Sequence, residues 1–203
     1  MGTVQGGSIS PRLANVNLHD VFDLWVQRWR RREARGDVVV VRVADDVVVG
    51  FEHREEAERV LAERRERIAR FGLSRHPDKT RLLEFGRYAA RNRRDRGDGT
   101  PQTFNVLGFT HACSQTRKGR FTVLRQTMRQ RWQAKLREVK AELRRRLHTP
   151  IPIQGAYLRS VVLGHTRYYG VPRHGSSIGA FHQGLGRVWR VMLMCRSQNG
   201  FVS

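Results

Sequence analysis

Two adjacent aspartates, Asp45 and Asp46, lie between two runs of valine in the stretch VVVVRVADDVVVGF. Neighbouring carboxylates repel each other, and a divalent cation bound between them relieves that repulsion. Mg²⁺ is usually bound by one or two carboxylates together with substrate phosphates, so the pair predicts a magnesium site for phosphate chemistry. Aspartate is also a common turn residue, and a polar turn without any metal is the alternative.

The segments around the pair predict how it is presented. The β-branched runs 38–43 and 47–51 are too short for helices and predict a β-hairpin, with the three residues ADD as its connection. Upstream, a helix is predicted to begin at Ser10-Pro11, where serine is a good N-cap and proline suits the first helical position. Gly36 supplies its stop.

Beyond the hairpin, helix, strand and loop patterns alternate. Residues 55–71 have helical apolar spacing, and short strands are predicted at 82–85 and 105–109, with a further extended piece at 120–123. The segment 86–103 is rich in charge and glycine and is predicted to be an exposed, mobile basic loop.

The last third of the chain is helical in character. Apolar residues recur every three or four positions from Leu124 to Leu147, which predicts one long amphipathic helix. Two prolines end that pattern, and two more helices are predicted after them, separated by a turn around 170–177. The predicted fold class is therefore α+β, with an α+β part over 1–112 and a basic, all-helical part over 113–203.

Net charge narrows the class of partner. The chain has 39 Lys plus Arg against 18 Asp plus Glu, a formal charge of +21. Such an excess favours polyanions, so RNA or DNA is the leading partner and an anionic membrane surface the weaker one. The sequence contains no run of about 18 apolar residues, so no membrane span is predicted. Two widely separated cysteines give neither zinc spacing nor a disulfide framework, which fits a reducing cytoplasm.

Basic residues are concentrated in the segment 117–147, which has twelve Lys or Arg against two Glu. A solvated helix face normally carries both signs of charge, so we predict that this segment contacts RNA. The candidate RNA-binding residues are Arg117, Lys118, Arg120, Arg125, Arg129, Arg131, Lys135, Arg144, Arg145 and Arg146. Trp132 lies on the apolar stripe and is predicted to be core, whereas Tyr157, Tyr168 and Tyr169 are either core residues or stacking groups for bases.

Four motifs occur in order along the chain: QGGSISPRLAN from Gln5, VADDVVVGF from Val43, GLSRHPDKT from Gly72 and NVLGF from Asn105. Together they resemble the latter half of a reverse transcriptase palm, in particular that of the bacterial group II intron-encoded reverse transcriptase and maturase. The C-terminal stretches LRSVVLGHTRYYGVP and RVWRVMLMCRSQNG are similar to the thumb and maturase region of that family. The resemblance implies RNA-templated DNA synthesis with Mg²⁺, with intron RNA, an RNA template and a DNA primer as partners.

The resemblance also implies roles for single residues. Asp45 and Asp46 correspond to the acidic pair of a tyrosine-alanine-Asp-Asp hairpin and would be catalytic metal ligands. Leu107 and Gly108 correspond to a turn that supports the primer end.

Two other matching positions concern the nucleotide. Gln5, Gly6 and Gly7 correspond to a turn that lines the template and nucleotide pocket, where small residues let substrate approach the backbone. Lys79 corresponds to a lysine near the incoming nucleotide, as a phosphate contact or proton donor. The alternatives are a plain loop at the glycines and a solvated surface lysine.

Three departures from the family pattern limit the expected activity. Val43 replaces the hairpin tyrosine that packs near the primer end, and Val4 replaces a proline. The resemblance further implies that the fingers and the first palm strand, with the remaining metal-binding aspartate, lie upstream of this sequence. Asp20, Asp23 and Asp37 are not predicted to replace that aspartate, because none would lie at the hairpin tip. We therefore expect weak or absent Mg²⁺ binding and no copying of RNA by this chain alone.

Three functions are compatible with these patterns. The first is a truncated group II intron reverse transcriptase and maturase, comprising part of the palm, the thumb and the maturase region. The second is a non-catalytic RNA-binding protein that uses the basic helices. The third is an interaction protein that supplies its half-palm to an upstream polypeptide carrying the fingers and the first catalytic aspartate.

Overall fold

The computed structural model describes residues 10–71 and 80–196. The chain forms two compact units, Met1–Leu83 and Glu84–Ser203. Four residues with an expected role in nucleotide binding lie outside the described residues: Gln5, Gly6, Gly7 and Lys79.

The first unit begins with one uninterrupted helical stretch. Helix α1 spans Ser10–Leu18, a π-helical turn follows at His19–Asp23, and α2 spans Leu24–Arg32. Ser10, where a helix is predicted to begin, is helical and is the first described residue, and the helix ends ahead of Gly36. Spacing of three or four residues places apolar side chains on one face of a helix. The buried ones here are Val21, Phe22, Val26 and Trp29.

The predicted β-hairpin is confirmed: β1 (Val38–Val43) and β2 (Asp46–Phe51) pair antiparallel. Successive side chains of a strand point to opposite faces of the sheet. One face of β1 packs on the helices and consists of Val38, Val40 and Arg42. The other face is solvent-exposed and consists of Val39, Val41 and Val43, which are 62%, 49% and 45% exposed. We call these three residues the valine face.

Helix α3 (Arg54–Arg70) completes the core of the first unit and confirms the predicted helix over 55–71. Its Val60 packs with Trp29 and Val38 in one apolar cluster. The turn into β1 favours glycine at position 36, because a Cβ there would lie 2.9 Å from the Cβ of Glu52.

The second unit contains a three-stranded antiparallel sheet in the order β3-β4-β5. Its strands are β3 (Phe104–Val106), β4 (Phe109–Gln115) and β5 (Phe121–Thr127). The single strand predicted at 105–109 is therefore two strands and the turn between them. Residues 82–85 are described and form no strand, so that prediction is wrong.

Helix α4 (Ala89–Arg96) lies in the middle of the segment that was predicted to be a loop. It carries no apolar stripe, so hydrophobic spacing gives no signal for it. Gly97 ends the helix in the left-handed conformation, with φ of 76°. The amides of Gly97 and Asp98 then donate hydrogen bonds to the carbonyls of Arg94 and Arg93, as in a helix C-cap.

Three helices form the rest of the second unit: α5 (Arg129–Arg145), α6 (Ile151–Tyr169) and α7 (Gly175–Met194). Their shared core contains Val139, Leu143, Leu158, Phe181 and Leu185, and Trp132 packs against it as predicted. The long helix predicted from 124 begins later, because residues 124–127 pair with β4. Gly184 lets α7 approach α5, since a Cβ there would lie 2.9 Å from Leu136.

The fold class is α+β, as predicted. A palm boundary at residue 112 would lie inside β4, and where the palm ends stays a prediction. In the segments 10–71 and 80–196, no helix is both long and apolar enough to cross a membrane.

Candidate active site

The acidic pair occupies the tip of the β1–β2 hairpin. Val43 pairs with Asp46, so the two-residue turn consists of Ala44 and Asp45, while Asp46 is the first residue of β2. This differs from the expected three-residue connection. Ala44 has a φ of 54°, a left-handed conformation that costs an L-residue about 1 kcal/mol or more.

Arg42 fixes this strained turn to the helices. Its Nε donates to Oδ1 of Asp23 at 2.8 Å and its Nη2 to Oδ2 at 2.7 Å, which is a bidentate pair. Its Nη1 donates to the carbonyl oxygen of Ala44 at 2.9 Å and to Oδ1 of Asn15 at the same distance. The hydrogen bonds to Asp23 raise the pKa of the Arg42 guanidinium. One side chain therefore ties the β1–β2 hairpin to α1, through Asn15, and to the end of the π-helical segment, through Asp23.

Sequence reasoning did not single out Arg42. The available signal was its position in β1, because it alternates in register with the buried Val38 and half-buried Val40. A charged residue on a core-facing strand position needs a partner. The structure also answers whether Asp23 could take the place of a third metal ligand. Its carboxylate is bound by Arg42, on the opposite face of the hairpin from Asp46.

Asp45 and Asp46 themselves are exposed, and neither carboxylate makes a hydrogen bond or an ion pair with the described residues. Their carboxylate oxygens suit a hard cation that completes its shell with water and phosphate oxygens. Within residues 10–71 and 80–196, no three side chains of His, Cys, Asp or Glu come together as a metal-binding group. The described residues thus supply two ligands of the Mg²⁺ type and no third.

A second turn of interest lies between β3 and β4. Leu107 and Gly108 both have positive φ, at 52° and 78°, and connect the paired residues Val106 and Phe109. Two left-handed residues are the mark of a type I′ hairpin turn. The carbonyl oxygen of Gly108 accepts a hydrogen bond from the amide of Met128 at 3.0 Å.

The C-terminal end of α6 packs against this turn. Tyr168 donates its hydroxyl to the carbonyl oxygen of Leu107 at 3.2 Å, and its ring stacks on Phe109. Tyr169 packs edge-on against Phe109, and a Cβ at Gly108 would lie 3.1 Å from its hydroxyl oxygen. Both tyrosines therefore support the turn.

The predicted RNA-binding residues are distributed over three places. Arg117, Lys118 and Arg120 lie in and beside the turn between β4 and β5, and Arg125 lies on β5; all four are exposed. The others lie on or just after α5. Three of them are ion-paired on one side of this helix: Lys135 with Glu138 at 2.7 Å, and Arg145 and Arg146 with Glu142 at 3.4 and 2.6 Å. Arg131, one turn before Lys135, is exposed and makes no ion pair with the described residues.

The opposite side of α5 carries basic residues without such partners. Residues 129, 137, 140 and 144 are spaced by 8, 3 and 4, which places them along one side of a helix. We call them the α5 stripe: Arg129, Arg137, Lys140 and Arg144. All are exposed, and none makes an ion pair with the described residues. From first to last they extend about 22 Å along the axis, at about 1.5 Å per residue.

Two members of the α5 stripe, Arg137 and Lys140, were not among the predicted RNA-binding residues. Plotting the basic and acidic residues of 129–145 around a helix would have identified them. Conversely, predicted Lys135 and Arg145 have their charges compensated by glutamates one helical turn away.

A comparison with protein-family models places this geometry in context. The model described as reverse transcriptase (RNA-dependent DNA polymerase) matches residues 1–111. A search of curated proteins gave no significant match. The matched region contains both turns described above, the tip with Asp45 and Asp46 and the turn at Leu107 and Gly108. Since it covers more than half of the 203 residues, the chain belongs to the reverse transcriptase (RNA-dependent DNA polymerase) family.

Proposed function

We propose that this chain is part of a group II intron-encoded reverse transcriptase and maturase, in which the hairpin at Asp45 and Asp46 contributes to RNA-templated DNA synthesis. The partners would be an RNA template with its DNA primer, and intron RNA. Family membership supports the polymerase part of the proposal. The order of the four motifs and the basic helices of the second unit support the intron part.

The observation that carries the proposal is the pair of unpartnered carboxylates on a hairpin fixed by Arg42. Asp45 and Asp46 are the residues that would bind Mg²⁺, which when bound supplies positive charge for the phosphates of an incoming nucleotide. Arg42 holds the turn in a conformation that alanine at position 44 disfavours. A fixed tip keeps both carboxylates in place without reorganisation when substrate binds. Gln5, Gly6, Gly7 and Lys79 would complete the nucleotide pocket.

We further infer that this chain alone does not copy RNA. The described residues provide no third carboxylate at the tip, and Asp23 is committed to Arg42. An upstream polypeptide with the fingers and another aspartate would complete the metal site. The exposed valine face beside Asp46 supports this, because a continuous apolar sheet face is normally covered by protein.

Primer extension tests both parts of the proposal. The purified chain is given an RNA template, a DNA primer, labelled deoxynucleotides and Mg²⁺, alone and together with the polypeptide encoded immediately upstream. We expect incorporation only in the mixture and its loss in Asp45→Ala. Incorporation by the chain alone, abolished in the same variant, would show that the site is complete without a partner. No incorporation in either case would leave only the second candidate.

The second candidate is a non-catalytic RNA-binding protein, and the α5 stripe is the observation that favours it. Four uncompensated basic residues along about 22 Å of helix suit a row of backbone phosphates. A salt titration of RNA binding distinguishes the source of affinity, because phosphate contacts make affinity fall steeply as salt rises. A flat salt response would rule out the α5 stripe as the contact surface.

A further inference from the structure

The five arginines between Glu84 and Thr100 divide into two groups, and one group serves the fold. Arg93 donates from Nε to the carbonyl oxygen of Thr100 at 3.1 Å and from Nη2 to that of Asp98 at 2.6 Å. Arg96 donates from Nε to Oδ2 of Asp98 at 2.9 Å and also pairs with Glu84. These two guanidinium groups make their hydrogen bonds within the segment itself, around the C-terminal end of α4.

The other group points away from the segment. Arg87, Arg91 and Arg94 are exposed. Arg91 and Arg94 are three residues apart on α4, which places them on one side of that helix, and Arg87 lies in the turn that leads into it. The side chains of Arg87 and Arg94 make no hydrogen bond or ion pair with the described residues. The contact of Arg91 with Asp95 spans 3.8 Å between two exposed side chains, which is worth little.

The same segment carries an exposed aromatic residue. Tyr88 immediately follows Arg87 and is 62% exposed, the same fraction as Val39, the most exposed valine of the hairpin. Guanidinium groups that can bind phosphates next to an exposed ring are the combination that recognises single-stranded nucleic acid, because an unpaired base can stack on the ring. A duplex has no unpaired base to offer such a ring.

The support for this surface is rigid. Phe85 packs edge-on against Phe104 of β3 at 4.9 Å, and the amide of Gly86 donates to Sγ of Cys113 in β4 at 3.4 Å. The left-handed cap at Gly97 and the bonds of Arg93 and Arg96 fix the other end. The outward side chains are therefore presented by a backbone attached to the sheet, which lowers the entropy lost on binding.

We propose that Arg87, Tyr88, Arg91 and Arg94, here called the α4 face, bind single-stranded RNA. The arginines bind consecutive phosphates, and an unpaired base stacks on the ring of Tyr88. This inference rests on the RNA partner proposed above and adds a second contact, separate from the α5 stripe and selective for unpaired RNA.

The test measures binding of the full chain to an unstructured single-stranded RNA and to a blunt RNA duplex, by fluorescence anisotropy over a range of salt. Arg87→Gln with Arg94→Gln should weaken single-strand binding and lower the salt slope by about 1.4, at about 0.7 per phosphate contact. Tyr88→Leu should weaken single-strand binding roughly 5- to 100-fold, the range for one base stack, and leave duplex binding unchanged.

The matched control is Arg65→Gln with Arg70→Gln, which removes the same charge from exposed positions of α3. The α4 face is wrong if its double variant behaves like this control, or if Tyr88→Leu weakens duplex and single strand equally. In that case Arg137→Gln with Lys140→Gln shows whether RNA binding through α5 still stands. If the unmodified chain binds neither RNA, both this inference and the proposed RNA partner fail. Circular dichroism of each variant confirms that it is folded.

Discussion

Arg42 and Asp23 form a bidentate ion pair on the core-facing side of the hairpin, with each side chain only 18% exposed. The same guanidinium group reaches the carbonyl oxygen of Ala44, so the pair connects the helical segment to the turn that presents Asp45. The hairpin that presents Asp45 and Asp46 is thus positioned by two other charged residues, Arg42 and Asp23.

The first prediction concerns this pair. Arg42→Lys should lower the free energy of unfolding by about 1 to 2 kcal/mol, because an ammonium group cannot reproduce the planar fork that reaches four acceptor oxygens in three residues. Urea unfolding measures the change, with Arg28→Lys on the exposed side of α2 as the control. In a double-mutant cycle with Asp23→Asn the two changes should not add; full additivity would show that the ion pair contributes nothing.

The second prediction concerns the turn between β3 and β4. Gly108→Ala should destabilise the protein more than Gly119→Ala, although both glycines have positive φ, at 78° and 72°. A Cβ at Gly119 meets nothing within 4 Å, so that variant reports backbone strain alone, about 1 kcal/mol. The additional loss in Gly108→Ala, measured by thermal unfolding, would come from the clash with Tyr169. Equal losses would show that Tyr169 does not pack on the turn.

The third prediction is a pH dependence that arises from His165. This side chain is 8% exposed and its ring stacks on Phe181 at 3.7 Å. Its pKa is lowered from 6.5 to about 4, mainly by burial and to a smaller extent by the neighbouring His182 and His174. Above pH 6.5 the ring is neutral in both the folded and unfolded states, so it contributes no pH dependence there.

Between pH 6.5 and about 4 the unfolded chain takes up a proton at His165 that the folded protein does not. Stability should therefore fall as the pH falls through this window, by at most about 3.5 kcal/mol at about 1.4 kcal/mol per pKa unit. Urea unfolding at a series of pH values measures it, and His165→Gln should remove this part of the slope. The exposed His148→Gln is the control; an unchanged slope in His165→Gln would contradict the assignment.

The fourth prediction separates the two sides of α5. Arg137→Gln with Lys140→Gln should weaken RNA binding and reduce the dependence of log affinity on log salt by about 1.4 to 1.8, the value for two phosphate contacts. Lys135→Gln with Arg145→Gln removes the same charge from the side that pairs with Glu138 and Glu142 and should have little effect. Equal losses in the two double variants would mean that overall charge, and not the α5 stripe, determines affinity.

The parts of the fold that sequence could predict are those with local periodicity. The valines of 38–43 and 47–51 predict strands because β-branched residues favour strands and these runs are too short for helices. Residues 124–127 show the limit of this reasoning. Their apolar spacing fits the helix that follows, and only pairing with β4, which lies earlier in the chain, makes them a strand.

In the candidate site, too, some residues are predictable from local sequence and others depend on contacts between distant parts of the chain. Asp45 and Asp46 were visible as an unusual pair in an apolar context, and the motif order gave them a role. The bonds of Arg42 were not predictable, because they join residues 19 positions apart that only the packed helix brings together. On α5, the compensating effect of Glu138 and Glu142 required the helix boundaries and the direction of each side chain.

The contacts at the β3–β4 turn have a mechanical consequence. Leu107 is hydrogen-bonded to Tyr168 in α6, and Gly108 to Met128 immediately before α5. Both residues of the turn are therefore attached to these helices. Bending α6 away from the sheet without displacing the turn would break the hydrogen bond from Tyr168 to Leu107 and separate the stacked rings of Phe109 and Tyr168. The position of the turn is therefore coupled to that of the helices, so that a displacement of the helices displaces the turn.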